Sequence, residues 1–504
     1  MGKERKGVRG GLLRIRPAAQ PPSTAFTPAS ALASAPTAKS KLDRSLLDAK
    51  VDDNWTACID FGTAFSKIAM VRFHETGTTT TEHVRPLQIG PGSTPGFSPL
   101  MCPSALYIVQ ERIHFGERAF VVHANHGANN RRCFESPKHY ISALNEQLLE
   151  TPTNEAEDPT QSFTRKHLLL LLLGFIMFRF DRALRVEDSL KGRLPRLRIA
   201  RPAWKRKFEQ AGEALLLDLL ARAFILARTI GPRYETNEGL SIKLAISALE
   251  LANQVIQPSA LLQEKLVRTE ARVDCIQRGF VPEATAVAAA AIRPEQGQRR
   301  LFVIADIGAG TSDFGAFNAV PGKGQRGRIG EYTKARHIVE KGGNFLDSQV
   351  VSYLIRKNGL NAELPADIGT IAALRREARR YKEDLFRDEE LLGALQGELH
   401  ELLAQPEVKA FVQELRDRFS ETLNVTCLEA VTLEQHPPVR VLLTGGGAAL
   451  PFVRDLAKMD SPNFIHVIGQ DPMPPWVEDT NWKISFKQLA VAIGGAMPSL
   501  PEQK

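Results

Sequence analysis

The sequence predicts an α/β protein built from two related halves. One observation is a repeated unit. CIDFGTAFSKIAM (58–70) and FVIADIGAGTSDFGAF (302–317) each read as an apolar strand, Asp-x-Gly, a Thr and a second apolar strand. Another is the alternation of strand-like apolar runs with long helical patterns along the rest of the chain. A third is size. The chain has 504 residues, enough for two to four domains or one large two-lobed fold.

Taken in order, residues 1–50 form a Pro/Ala/Ser-rich tail that is expected to be disordered. Its acid-poor composition also fits a transit peptide, the less favoured reading. Residues 1–42 hold eight Lys or Arg against Glu4 alone, so most of the net charge of +8 belongs to the tail and the body is close to neutral. Residues 55–73 read as strand, tight turn and strand. MCPSALYIVQERIHFGERA adds a strand pair with its turn near Gln110–Glu111. Residues 163–185 and 204–229 read as helices around the strand LPRLRIARPAW, and further strand and helix patterns occupy 240–275. A helix starts after Pro282 in FVPEATAVAAAAI, followed by the second strand–turn–strand unit. Residues 343–357, 368–388, 389–403 and 407–430 are expected helices. VRVLLTGGGAAL is a buried strand ending in glycines, with PFVRDLAKM as the helix after it.

The repeated turn carries the chemistry. Successive backbone N–H groups at a glycine-rich turn converge on one concave space and suit an anion, phosphate in particular. Glycine is needed because a Cβ blocks close approach. A carboxylate beside phosphate repels it unless a cation lies between, so Asp60 and Asp306 imply Mg²⁺ held largely through waters. Two such turns facing each other grip one polyphosphate, an arrangement for phosphoryl transfer.

The order and spacing of IDFGTAFSKIAM, PEATAVAAAA, ADIGAGTSDFGAF and VLLTGGGAALPFVRDL resemble the actin-like ATPase superfamily. KGGNFLDSQVV, ALRREARRYKEDLF, RPAW, RCFESPKHYI and QLAVAIGGAM resemble segments of its 70-kDa heat-shock chaperones, over about residues 55–498. The resemblance implies a two-lobed actin-like ATPase fold of duplicated ribonuclease-H-like domains. Lobe I would span 51–295, with a helical insertion at about 230–275, lobe II would span 296–485, and 486–504 would return to lobe I. It implies ATP or ADP with Mg²⁺ as ligands. Residue by residue, Asp60 and Asp306 would surround Mg²⁺ and its waters, and Glu283 would orient one such water. Thr63 and Thr311 would meet the γ- or β-phosphate, and Lys138 would position the attacking water or the γ-phosphate. Gly62, Ala64, Gly308, Gly310, Gly342 and Gly343 would line the phosphates, Gly445, Gly446 and Gly447 the adenosine, and Lys382 the adenine or ribose. Lys67 matches the phosphate lysine of actin and competes with Lys138. FESPKH is one residue longer than the chaperone segment, and Glu383 stands where the family usually has Arg.

The implied activity is slow ATP hydrolysis driving a switch that works with a protein partner or co-chaperone. The sequence ends at PSLPEQK, so the resemblance covers the nucleotide-binding half and leaves no peptide-binding domain. The alternatives are an actin-like filament former and a small-molecule kinase. Other classes are less favoured. The basic stretch from Lys191 to Glu209 has only Trp204 and Phe208 as interleaved aromatics, a poor nucleic-acid surface. The five cysteines form no CxxC pair, which suggests neither zinc site nor disulfide framework and fits a reducing cytoplasm. His139 has no partner histidine at metal spacing. The longest apolar run, Leu168 to Phe178, has eleven residues, too few to span a bilayer.

Because the tail cannot supply a core and precedes the first motif strand, deleting residues 1–45 is expected to leave nucleotide binding unchanged. Calorimetric titration of the truncated and full chains checks this, and an insoluble or non-binding truncation would make the tail structural.

Overall fold

The computed structural model describes residues 51–73, 83–91, 98–126, 131–190, 193–202, 204, 206–255, 279–293, 299–322, 327–433, 436–461, 465–474, 477 and 480–503. The tail 1–50 and the part of the insertion at 256–275 lie outside the described residues. The chain is mixed α/β.

Two sheets share one plan. In the first, β1 (Val51–Asp60) pairs antiparallel with β2 (Phe65–Arg72), which pairs with β3 (Val84–Pro86). On its other side β1 runs parallel to β4 (Leu194–Arg201), and β4 parallel to β5 (Phe280–Pro282). In the second, β6 (Arg300–Ile307) pairs antiparallel with β7 (Ser312–Val320), which pairs with β8 (Arg328–Glu331). On its other side β6 runs parallel to β9 (Val439–Thr444), and β9 to β10 (Val467–Gln470). The orders 3-2-1-4-5 and 8-7-6-9-10 match in sequence and direction. The central strand β6 is buried on both faces, which is why it reads as a continuous apolar run, while β1 is buried on both faces only from Ala57 to Asp60.

Helices cover these sheets. α1 (Pro137–Ser142) is short. α2 (Arg165–Arg185) buries its whole leucine run, and a capping box between Thr164 and His167 starts it. It packs on α3 (Arg206–Ile230) and α4 (Ile242–Val255) in one core with the first sheet. The described part of the insertion therefore joins this core. Its Leu240–Ser241 also extends the Leu106–Val109/Arg112–Phe115 hairpin as a third strand.

α5 (Glu283–Ala291) lies between the halves. Further on come α6 (Gly343–Lys357), α7 (Ala378–Asp388) and α8 (Pro406–Val431), which build a separate core with the second sheet. α9 (Thr480–Gly495) returns to pack on α5, β1 and β2. The core around α5 and α9 takes Cys58 and Ala69 from the first sheet and Phe302, Ile304, Phe317 and Leu442 from the second. The two helices approach so closely that a Cβ at Gly494 would overlap the carbonyl oxygen of Ala286. Arg198 on β4 donates to the carbonyls of Gly495 (3.1 Å) and Met497 (2.7 Å) at the end of α9. Beyond it, β11 (Glu502–Gln503) crosses to the second sheet and pairs parallel with Gly330–Glu331. A second tie between the halves is ionic. Glu209 on α3 meets both Arg201 (3.0 Å) and Arg336 (3.1 Å). Arg336 also holds the fully buried Glu331 (2.8 Å), which accepts from Thr285 of α5 (2.8 Å).

Three expected helices differ. Residues 368–388 are two helices, Pro365–Arg376 and α7, because the backbone leaves the helical region at Glu377 (φ −104°, ψ 12°). Residues 389–403 are not one helix. Glu389 takes a left-handed turn (φ 63°) that ends α7, and Glu390–Leu391 then pairs antiparallel with Gly397–Glu398 before a short helix, Leu399–Ala404. PFVRDLAKM keeps only Pro451–Arg454 as α-helix and tightens to a 3₁₀ turn over Asp455–Lys458.

The α5–α9 contact gives a sharp test. Gly494→Ala forces the helices apart and is expected to lower unfolding stability by about 3 kcal/mol. Gly369→Ala, on an open helix face, is expected to gain about 0.5–1 kcal/mol. Urea denaturation of both variants beside the parent measures the difference.

Candidate functional site

Each repeated turn ends a central strand with a carboxylate, and strand register decides what faces it. In the first sheet Asp60 lies opposite Lys67, and the two side chains pair at 2.7 Å. In the second sheet the same position opposite Asp306 is held by Asp313. On the other side, the parallel register puts Thr444 of β9 beside Asp306, and its hydroxyl donates to Oδ1 at 3.0 Å. The repeat in sequence therefore hides an electrostatic asymmetry. Burial, and secondly the Asp313 charge, push the Asp306 carboxyl up to about 6, against the pull of the Thr444 hydrogen bond. The Thr311 hydroxyl donates to Asp313 Oδ2 at 2.9 Å.

The two turns face each other across one cleft of about 410 Å³. They come so close that a Cβ at Gly310 would overlap the Thr63 hydroxyl. The end of β9 forms a third wall, where Gly445 takes φ +81° and a Cβ would strike the Ile307 carbonyl. Gly446 faces open space. The cleft thus has bare backbone on three sides with buried carboxylates at its base, a concavity suited to an oxyanion and a cation together.

Of the residues singled out in the sequence, the cleft is lined by Asp60, Gly62, Thr63, Ala64, Lys67, Lys138, Glu283, Asp306, Gly308, Gly310, Thr311, Gly343, Lys382, Gly445, Gly446 and Gly447. Gly342 is not in its lining. It packs behind the second turn, where a Cβ would press on the Gly308 carbonyl. Both competing lysines are present, each with its own carboxylate: Lys67 with Asp60, and Lys138 with Glu283 at the first position of α5. Lys138 and Glu283 are both buried. Burial lowers the Lys138 ammonium's pKa, while Asp60, Asp313 and Asp306 pull it back up. Lys382 pairs with Asp347 (2.7 Å) and donates to the Gly343 carbonyl (3.2 Å). Burial raises Asp347 despite that lysine.

The FESPKH segment turns sharply into its helix. Ser136 takes a left-handed conformation (φ 57°, ψ 41°), and Pro137 then opens α1 so that Lys138 follows inside it. Several lining residues were not singled out: Asn344, Asp347, Arg379, Phe386, Leu450, Arg454 and Lys487. Asp347 lies within the quoted KGGNFLD segment, four residues after Gly343 and so one helical turn on, a spacing that could have found it. Arg379 pairs with Glu383 (2.8 Å) and lies 4.9 Å over the Phe65 ring of the first turn, a contact between distant segments that no local pattern announces.

Asp306 predicts a pH dependence. Its raised pKa means that the folded chain keeps this proton where the unfolded chain releases it. Wild-type stability is then expected to fall relative to Asp306→Asn as pH rises from about 4 to about 6, by up to about 3 kcal/mol, and to run level above. Urea titrations at pH 4, 5, 6 and 7 in nucleotide-free buffer with EDTA check the slope.

No protein-family model and no curated protein matches the chain, so the chemistry of the cleft stands on its own residues.

Proposed function

We propose that this chain is an ATP-binding, slowly ATP-hydrolysing switch of the heat-shock chaperone type, with the two-lobed actin-like ATPase fold and a protein partner that uses its motion. The observation that carries this reading is the facing of two strand–turn–strand hairpins across one cleft, with the glycine-ended β9 as its third wall. The matching strand orders of the two sheets support the fold assignment. Among the described residues no helix is long and apolar enough to cross a membrane. A cytoplasmic location belongs to the proposal.

The donor set suits a hard divalent cation. Asp60 and Asp306 lie at the base of the cleft with Asp313 buried behind Asp306 in the strand pair, and Asp313 and Asp60 both raise Asp306 by repulsion. Asp60 and Asp306 would hold Mg²⁺, which neutralises polyphosphate charge when bound. The turn at 309–311 and the residues 62–64 would offer backbone N–H groups to the phosphates from opposite sides, the Gly308 N–H being taken by the Thr311 carbonyl (2.9 Å). Lys138, buried with Glu283, would sit beside the terminal phosphate and orient the attacking water. Asp306 would accept that water's proton, a task suited to a buried carboxylate held at the base of the cleft. The adenosine would lie along Gly445–Gly447, between Lys382 and the apolar wall of Phe386 and Leu450. Loss of the γ-phosphate would remove the bridge between the turns and loosen the halves.

Two measurements test this. Millimolar ATP with Mg²⁺ is expected to raise the melting temperature, because only the folded cleft binds it. Asp306→Asn is expected to cut turnover about 100-fold while ATP affinity changes little, since a proton acceptor is used mainly in the transition state. Thr311→Ala is expected to lose less, because the backbone donors of its turn remain. Absence of a thermal shift, or unchanged turnover in Asp306→Asn, would sink the reading.

A further inference from the structure

α1 is a short helix with an unusual start. Ser136 stands at its N-cap, a position where a serine hydroxyl usually accepts from the first turn of its own helix. Here no such capping bond forms. The hydroxyl instead accepts from the Asn344 side-chain amide across the cleft, at 2.6 Å and 208 residues away in sequence. Asn344 is itself fixed. Its backbone N–H donates to the Ala309 carbonyl (2.8 Å), and the preceding Gly343 donates to Gly308 (3.0 Å). One residue therefore clasps the second turn with its backbone and the start of the Lys138 helix with its side chain.

We propose that Asn344 is a positioning residue for Lys138. It ties α1 to the second turn, so that the Lys138 ammonium is aligned only while the two halves are closed around the cleft. The proposal deepens the ATPase reading and rests on it for the role of Lys138. The left-handed Ser136 is part of the device. It turns the hydroxyl away from its own helix toward Asn344. Asn344 does not supply chemistry. It makes the placement of a cation on one half depend on the turn of the other.

The test uses the full chain and two readouts. The first is amide hydrogen exchange over residues 139–144 without nucleotide, in wild type, Asn344→Ala and Ser136→Ala. Both variants are expected to exchange about tenfold faster there, as for loss of one hydrogen bond, with 302–317 unchanged. The second is steady-state hydrolysis. Each single variant is expected to lower kcat about tenfold with ADP affinity within twofold of wild type. The double variant is expected to match the singles, because both remove the same bond. Ser136→Asn, which tolerates the left-handed backbone and restores an oxygen acceptor, is expected to recover most of kcat. Unchanged exchange in Asn344→Ala overturns the proposal, as do multiplying losses in the double variant or an equal fall in ADP affinity. A wild type without turnover would overturn the ATPase reading instead, and the exchange result would still decide whether the tie exists.

Discussion

The molecule depends on how closely α5 and α9 can approach. Both are built of small residues where they meet, and Gly494 lets α9 rest on the backbone of α5 at Ala286. A helix pair this tight has little freedom to slide, because close-packed interiors give way in steps and not smoothly. It is also the place where the apolar faces of both sheets end. Glu283 opens α5, so the same helix that welds the halves together sets one end of the Lys138 pair. Geometry at the base of the cleft is thereby inherited from packing about one helical turn away.

Around that pivot the two hairpins divide their labour. Asp60, compensated by Lys67 across the strand pair, is a carboxylate already answered within its own sheet. Asp306, buried and with another acid at the equivalent place, is held above the usual carboxylate range despite the Thr444 hydrogen bond. A duplicated fold thus carries one ion-paired acid and one acid that faces another acid. The exchange of Lys67 for Asp313 between registers contributes to the raised Asp306 pKa, second to burial.

Much of this was legible in the sequence because it is local. Five apolar residues before Asp306, glycines and a threonine after it, and apolar residues again specify strand, turn and strand without outside help, and the glycine-ended β9 is read the same way. The break at Glu377 was not legible, because helical periodicity continues on both sides of it. The small hairpin at 390–398 was missed since helix-compatible residues hide a turn set by the left-handed Glu389. Asn344, Arg379 and Phe386 escaped for a different reason. Each owes its place to a partner hundreds of residues away or to a wall assembled from separate segments, and a lone polar or aromatic residue leaves no periodic trace. Gly342 shows the reverse, a motif glycine whose bareness serves packing against Gly308 and not the cavity.

The chain's last described stretch has a mechanical consequence. Met497 is anchored to the first sheet through Arg198, and Glu502 is stitched to the second through Gly330. Only Pro498, Ser499, Leu500 and Pro501 lie between, so at full extension the two anchors stand no more than roughly 17 Å apart. That segment is a leash. Between these anchors the two sheets can part only by the slack in four residues, two of them prolines with a fixed φ.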